Sequence, residues 1–271
     1  MDLGLAGKAC VVTGASRGIG RCTARILSAE GASVVLVGRD AAALAEATAQ
    51  CEAAAPAGAD AAATPLTLDI TDAHAAKRMM AAAHKYFGKL DVVVNNAGTA
   101  TWRDLDAVPD ADWYAAWELN VMAPMRLMKA AIPEMAERGW GRVVNVSSTA
   151  GKRPSGQIAE YSVAKAAQLS LSRLFADRHA AEGVLVNAVC PGATKSEMWM
   201  REDGLLDQLM AAQGIDDREQ ALEAAAKSRP IARMAEVEEI AAAIVFLCSE
   251  RASYVAGSAW SVDGGTVQVI I

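Results

Sequence analysis

The chain alternates short apolar runs with longer stretches of helical spacing. The runs Ala9–Thr13, Ser33–Val37, Thr64–Leu68, Leu90–Val94, Arg142–Val146, Val184–Val189 and Ala259–Val262 are mostly continuous and rich in valine. Runs of this kind predict strands buried on both faces of a parallel sheet. Between them, Gly18–Glu30, Ala41–Glu52, Ala73–Phe87, Trp113–Arg138, Ile158–Ala181 and Val237–Ser249 have helical periodicity. Strands alternating with helices mean βαβ units. The predicted fold is α/β: a doubly wound, parallel, seven-stranded sheet with helices on both faces. No linker divides the chain, so residues 1–271 are expected to form a single domain. The alanine-rich stretch Ala53–Ala63 reads as a surface connection. Residues 195–229 are too long for an ordinary connection and predict an irregular insertion, a lid or a decoration.

Composition narrows the classes. The hydrophobic fraction of 53% and charged fraction of 21% suit a packed core. A net charge of -6 argues against a general nucleic-acid surface. No apolar stretch approaches the roughly 20 residues of a membrane span. The five cysteines, Cys10, Cys22, Cys51, Cys190 and Cys248, form no C-x-x-C pair. With His74, His84 and His179 they offer no metal-ligand spacing, so no metal is expected. Free thiols and an N-terminus without signal-peptide character point to the cytoplasm.

The first strand runs into Gly14-Ala15-Ser16-Arg17-Gly18-Ile19-Gly20, and a helix opens at about Gly18. Glycines here let the backbone turn tightly, approach a pyrophosphate and present helix-terminal N–H groups to its charge. This is the behaviour of a Rossmann dinucleotide site. The second strand ends Val37-Gly38-Arg39-Asp40. NAD sites commonly place an acid at this strand end for the ribose 2′-OH; here Gly38 takes the place and Arg39 follows. Arg17 and Arg39 suit a 2′-phosphate, which favours NADP(H) over NAD(H). The competing reading makes Arg39 a solvated loop residue and Asp40 a helix cap.

Further motifs follow in order: Asp69, Asn95-Asn96-Ala97-Gly98, Asn120, Ser148, Tyr161-x-x-x-Lys165 and Pro191-Gly192. With Thr13–Gly20 and a C-terminal Val262-Asp263-Gly264-Gly265, the chain resembles the short-chain dehydrogenase/reductase family along nearly its whole length. The tone is similar to the 3-oxoacyl-carrier-protein reductase-like branch. The resemblance implies that Asp69 and the backbone of Ile70 meet the adenine. Asn96, Ala97 and Gly98 would line its ribose, and Asn95 would brace the sheet. Thr194 after Pro191-Gly192 would meet the carboxamide, and Ser196 stands where many members bond the cofactor through threonine.

Tyr161 and Lys165, four apart, share one helix face. A free tyrosine titrates near pH 10, and a nearby ammonium lowers that value. Alone, such a pair reads equally as a half-buried aromatic and a solvated lysine; with Ser148 upstream at the family's separation, the resemblance makes Tyr161 the expected acid/base for hydride transfer between NADP(H) and a carbonyl or alcohol. Ser148 polarises the carbonyl, chosen over Ser147 on its spacing to Tyr161. Lys165 also holds the nicotinamide ribose and Asn120 a connecting water, by resemblance. Thr99–Arg103, Thr149–Ile158 and the insertion beyond Met198 would wall the substrate site, with Trp102, Met198 and Trp199 making it apolar. Those three serve equally well as packing for the insertion or an oligomer face. The open substrate classes are a 3-oxoacyl thioester, a hydroxysteroid, a cyclic ketone and a sugar-derived alcohol. A non-catalytic NADP-binding regulator or scaffold is the alternative. By analogy a homotetramer is expected, a dimer second.

Overall fold

The computed structural model describes residues 1–227 and 229–268. Its seven strands are β1 Ala9–Thr13, β2 Ser33–Gly38, β3 Ala63–Thr67, β4 Val92–Asn95, β5 Gly141–Val146, β6 Val184–Pro191 and β7 Ala259–Val262. They form one parallel sheet in the order β3-β2-β1-β4-β5-β6-β7. Every residue of β1, β4, β5 and β6 is buried, as the unbroken valine runs predict. Pro65 lies on the edge strand β3, where a missing N–H costs no central ladder bond.

Strand alternation splits the apolar side chains between two layers. Val12, Val34 and Val94 face one side, with Leu27 of α1 (Gly18–Ala29), Leu44 of α2 (Ala41–Ala54) and Ile244 of α10 (Val237–Cys248). Val11, Val35 and Val93 face the other. There they meet Met79 of α3 (Ala75–Phe87) and Leu127 of α5 (Ala123–Glu137), beside α6 (Ala159–His179). Chain order reverses between β1 and β4, and a crevice opens beyond the carboxyl ends of these strands.

Two segments depart from expectation. The helix predicted over Trp113–Arg138 is α4 (Asp110–Trp117), a π turn (Glu118–Met122) and then α5. Pro124 explains the break: its ring opposes the carbonyl four residues back, at Asn120, and the ladder widens there. The insertion at 195–229 is helical where irregular chain is expected. It folds as α7 (Glu197–Met200), α8 (Leu205–Gln213) and α9 (Arg218–Lys227). Leu206 and Leu209 of α8 meet Ala221 and Ala225 of α9 in a small core of their own. Arg218 ties them together, pairing with Asp207 and donating to the Met200 carbonyl at 2.6 Å.

Candidate active site

The loop between β1 and α1 is built for close approach. Gly14 and Gly18 have φ of +65° and +53°, a region side chains avoid. A Cβ on Gly20 would stand 2.3 Å from the Gly14 carbonyl oxygen. The N-cap residue Arg17 makes no side-chain cap bond, so the first N–H groups of α1 are left for an acceptor in the crevice. Arg21 braces the loop from the helix, donating Nε to the Ser16 carbonyl at 2.8 Å. Thr13 fastens the loop to the next crossover: its Oγ1 accepts from the backbone N–H of Asn96 at 3.0 Å and Ala97 at 3.1 Å.

A cleft of about 1250 Å³ runs from this loop across the sheet edge. It is lined by Gly14, Ser16, Arg17, Gly18, Ile19, Arg39, Asp69 and Ile70 at one end, then by Asn96, Ala97 and Gly98. Ser148, Tyr161, Lys165, Pro191, Gly192, Thr194 and Ser196 follow. Of the sequence-predicted residues, Gly20 and Asn120 stand behind this surface. Gly20 supports the loop. Asn120 is fully buried in the π turn and donates to the Ala116 carbonyl at 2.9 Å. Its Oδ1 has no partner among the described residues. A Cβ on Gly98 would lie 3.3 Å from that oxygen and 3.5 Å from Lys165 Nζ. The missing side chain thus leaves a polar gap between the two.

At the loop end, Arg17 pairs with Asp40 at 2.7 Å, and Arg39 lies 4.0 Å from Asp69. Asp40 does cap α2, accepting from the Ala43 N–H, and this bond first, then Arg17, holds its carboxyl below the usual range. Asp69 is held low by the Thr71 N–H and hydroxyl, then by Arg39. Both features of the competing readings for Arg39 and Asp40 therefore coexist: the cap is made, and the guanidinium still lines the cleft.

At the other end, Tyr161 and Lys165 lie on one buried face of α6, with Nζ 5.4 Å from the phenol ring centre. Nζ donates to the Val146 carbonyl at 2.7 Å and to Gln168 Oε1 at 3.2 Å. The two neighbouring serines divide their work as strand alternation requires. Ser147 donates to the Lys165 carbonyl at 3.0 Å, whereas the Ser148 hydroxyl accepts from the Ala150 N–H at 3.1 Å and lines the cleft with Tyr161. Burial pushes the Tyr161 phenol up to about 12, with nearby Ser148 acting against it. Burial also drives Lys165 down to about 7. This reverses the expectation of a phenol softened by its lysine. Both groups share one water-poor site, and desolvation penalises each charged form.

Sequence reasoning missed Arg21 and Gly151, and it gave Thr13 no part beyond opening the glycine motif. A Cβ on Gly151 would meet the Lys165 carbonyl carbon at 2.9 Å, so this glycine lets the segment after Ser148 lie against α6. Its signal was a glycine three residues beyond a candidate catalytic serine. Among the described residues no group of His, Cys, Asp and Glu is arranged to hold a metal, and no helix is long and apolar enough to cross a membrane.

The donor set fits a dinucleotide: a glycine cradle on an uncapped helix, a long cleft, and a serine hydroxyl with a buried phenol and amine at the far end. Comparison with known proteins agrees. Residues 8–204 match the family model for short chain dehydrogenase. The chain is 35% identical to the short-chain reductase protein NovJ of Streptomyces niveus, over 94% of this chain and 92% of that protein. It is 32% identical to the 3-oxoacyl-[acyl-carrier-protein] reductase FabG of Escherichia coli, over 97% and 98%. Among solved structures it resembles L-sorbose reductase from Gluconobacter frateurii, determined with NADPH and L-sorbose. There the TM-score is 0.90 and the identity 33%, with both chains fully covered. Motifs, fold and relatives converge: this chain belongs to the short-chain dehydrogenase family and is an oxidoreductase of the NAD(P)-dependent kind.

Proposed function

We propose that the protein moves a hydride between NADP(H) and a carbonyl or secondary alcohol, with Tyr161 as the acid/base. The observation that carries this reading is the gathering of Ser148, Tyr161 and buried Lys165 in the same cleft as the glycine cradle. When bound, the nicotinamide supplies or accepts the hydride and, in its oxidised form, adds a positive charge that favours the phenolate. Tyr161, protonated at neutral pH, gives its proton to the substrate oxygen in the reducing direction. Ser148 donates to the same oxygen and stabilises the charge that develops there. Lys165 positions the phenol and the nicotinamide ribose. Asn120 holds a water in the gap left by Gly98, through which Tyr161 and Lys165 regain protons.

Gly14, Ser16, Gly18, Ile19 and Gly20 would cradle the pyrophosphate. Asp69, Ile70, Asn96, Ala97 and Gly98 would border the adenosine, and Pro191, Gly192, Thr194 and Ser196 the carboxamide end. Arg17 and Arg39, with Gly38 where an acid would select NAD, support NADP(H) as the preferred cofactor. L-sorbose reductase was solved with NADPH, which agrees. The insertion at 195–229 would act as a substrate lid, since Met198, Trp199, Leu205 and Leu209 line the cleft. A cytoplasmic setting suits five buried free thiols.

The test is NADPH oxidation, followed at its near-ultraviolet absorbance, against a panel of ketones and acyl thioesters. Wild type should turn over at least one, and Tyr161→Phe should lose roughly 10²–10⁴-fold in kcat while still binding NADPH. Equal rates for both proteins on every substrate would favour the regulator or scaffold reading.

A further inference from the structure

The substrate end of the cleft is walled by Ala100, Leu205, Trp102, Ile158, Met198 and Trp199. Two polar groups interrupt this apolar wall. Trp102 Nε1 is covered from solvent and donates to nothing among the described residues. Glu160 is only 8% exposed, and its Oε2 is likewise covered and without a partner. Both residues line the cleft. Their backbone segments adjoin. The bridge between Arg103 and Ile158, with the Arg103 N–H 2.8 Å from the Gln157 carbonyl, lays the Trp102 segment beside the start of α6. Glu160 there directly precedes Tyr161. Trp102 is also fixed from the insertion, its backbone N–H donating to Gln208 Oε1 at 2.6 Å.

A buried carboxylate oxygen with no donor is costly, and other buried charges here are paired or hydrogen-bonded. Asp91, for example, accepts from the Ala9 N–H and meets Lys89 and Arg138. An orphan donor and an orphan acceptor on adjoining segments of the cleft match hydroxyl groups, which donate and accept at once. An acyl chain or a bare cyclic ketone would leave both unanswered, and an anionic substrate would meet the Glu160 charge. We propose that Trp102 and Glu160 form a hydroxyl-recognising subsite, and that the substrate is a polyhydroxylated ketone or its alcohol. This rests on the dehydrogenase reading above and names its substrate class.

The experiment compares kcat/KM with NADPH for a panel of ketohexoses and for cyclohexanone, in wild type, Glu160→Gln and Trp102→Phe, each checked for an unaltered melting profile. Wild type should favour a ketohexose. In either variant the ketohexose-to-cyclohexanone ratio should fall roughly 10- to 100-fold. In parallel, an alditol panel is titrated calorimetrically into the NADP-bound Tyr161→Phe protein, with and without Glu160→Gln; binding should weaken by a similar factor. Turnover of cyclohexanone or a thioester with the ratio unmoved in both variants overturns the subsite and leaves the dehydrogenase standing. Glu160-dependent alditol binding without turnover of any ketone keeps the subsite and sinks the catalytic reading. No alditol binding and no ketohexose turnover overturns the subsite outright.

Discussion

Tyr161 and Lys165 are one helical turn apart, and burial moves their titrations in opposite directions. Lys165 falls from 10.5 to about 7, and Tyr161 rises from 10.0 to about 12. Between about pH 7 and 10.5 the unfolded chain therefore keeps a lysine proton that the folded chain has lost. Stability rises with pH wherever the unfolded state binds more protons, so this lysine makes the protein more stable towards pH 10. Tyr161 acts with the other sign. Above about pH 10 the unfolded tyrosine ionises while the folded one keeps its proton, and stability falls. Urea midpoints should thus climb from pH 7 to 9 in wild type and climb less in Lys165→Met. Parallel profiles in the two proteins would mean that burial does not shift the amine. At the opposite end of the cleft, Arg39 is 81% exposed and Asp69 only partly neutralises it. Its contribution to a 2′-phosphate is correspondingly screened. Arg39→Glu should lower the NADPH-to-NADH ratio of kcat/KM by about tenfold, at the small end of charge-assisted bonds. An unchanged ratio would remove Arg39 from cofactor choice and return it to the solvated loop.

At the scale of elements, what joins the cofactor loop to the rest of the site is a threonine. Thr13 ends β1, and its hydroxyl satisfies two backbone donors of the segment after β4 while donating to the Val94 carbonyl at 3.4 Å. Thr13→Val keeps the shape and strands both N–H groups, which should cost roughly 1–3 kcal/mol in denaturant unfolding. NADPH affinity should weaken with it, as Asn96 and Ala97 shift. Stability within error of wild type would show that the crossover holds itself. Strands of this sheet are legible in sequence because burial on both faces leaves continuous valine runs; Ala9–Thr13 and Ala259–Val262 are read to the residue. The different settings of Ser147 and Ser148 are legible too: Ser147 is buried and bonds the α6 backbone, whereas Ser148 stays partly open on the cleft. The π turn at Asn120 was not read, although Pro124 marks it, because the long amphipathic pattern around it masks a local break. The helices of the insertion were missed for another reason. Their apolar faces close on one another rather than on the sheet, and glycines at 204 and 214 punctuate them as a loop would be punctuated. Nor could spacing reveal that the phenol and amine would both be desolvated, since that depends on Gly151 and Gly98 bringing backbone close.

Over the whole molecule, the same helix that carries Tyr161 and Lys165 inward presents Val163, Ala167, Ser170 and Leu174 outward, at intervals of four, three and four. Val163 is 48% exposed and Leu174 67%, and Tyr114 and Trp117 on neighbouring α4 are 76% and 43% exposed. Clustered apolar side chains on helices that pack together mark an association surface more often than a bare face. Small residues at its centre allow two copies of α6 to approach closely. We propose that this face joins copies of the chain, with a homotetramer the first expectation and a dimer the second. A two-fold contact here would hold α6 from its outer side, opposite the acid/base pair, so assembly and catalysis would be coupled through one helix. Static light scattering at micromolar concentration should give a multiple of the chain mass. Val163→Glu combined with Leu174→Glu should reduce that multiple, because four like charges would meet across the two-fold axis. The substituted protein should also melt at lower temperature, and its melting should lose its dependence on protein concentration. A wild-type protein that scatters as a single chain would assign these side chains to solvent and leave α6 rigid through its inner face alone.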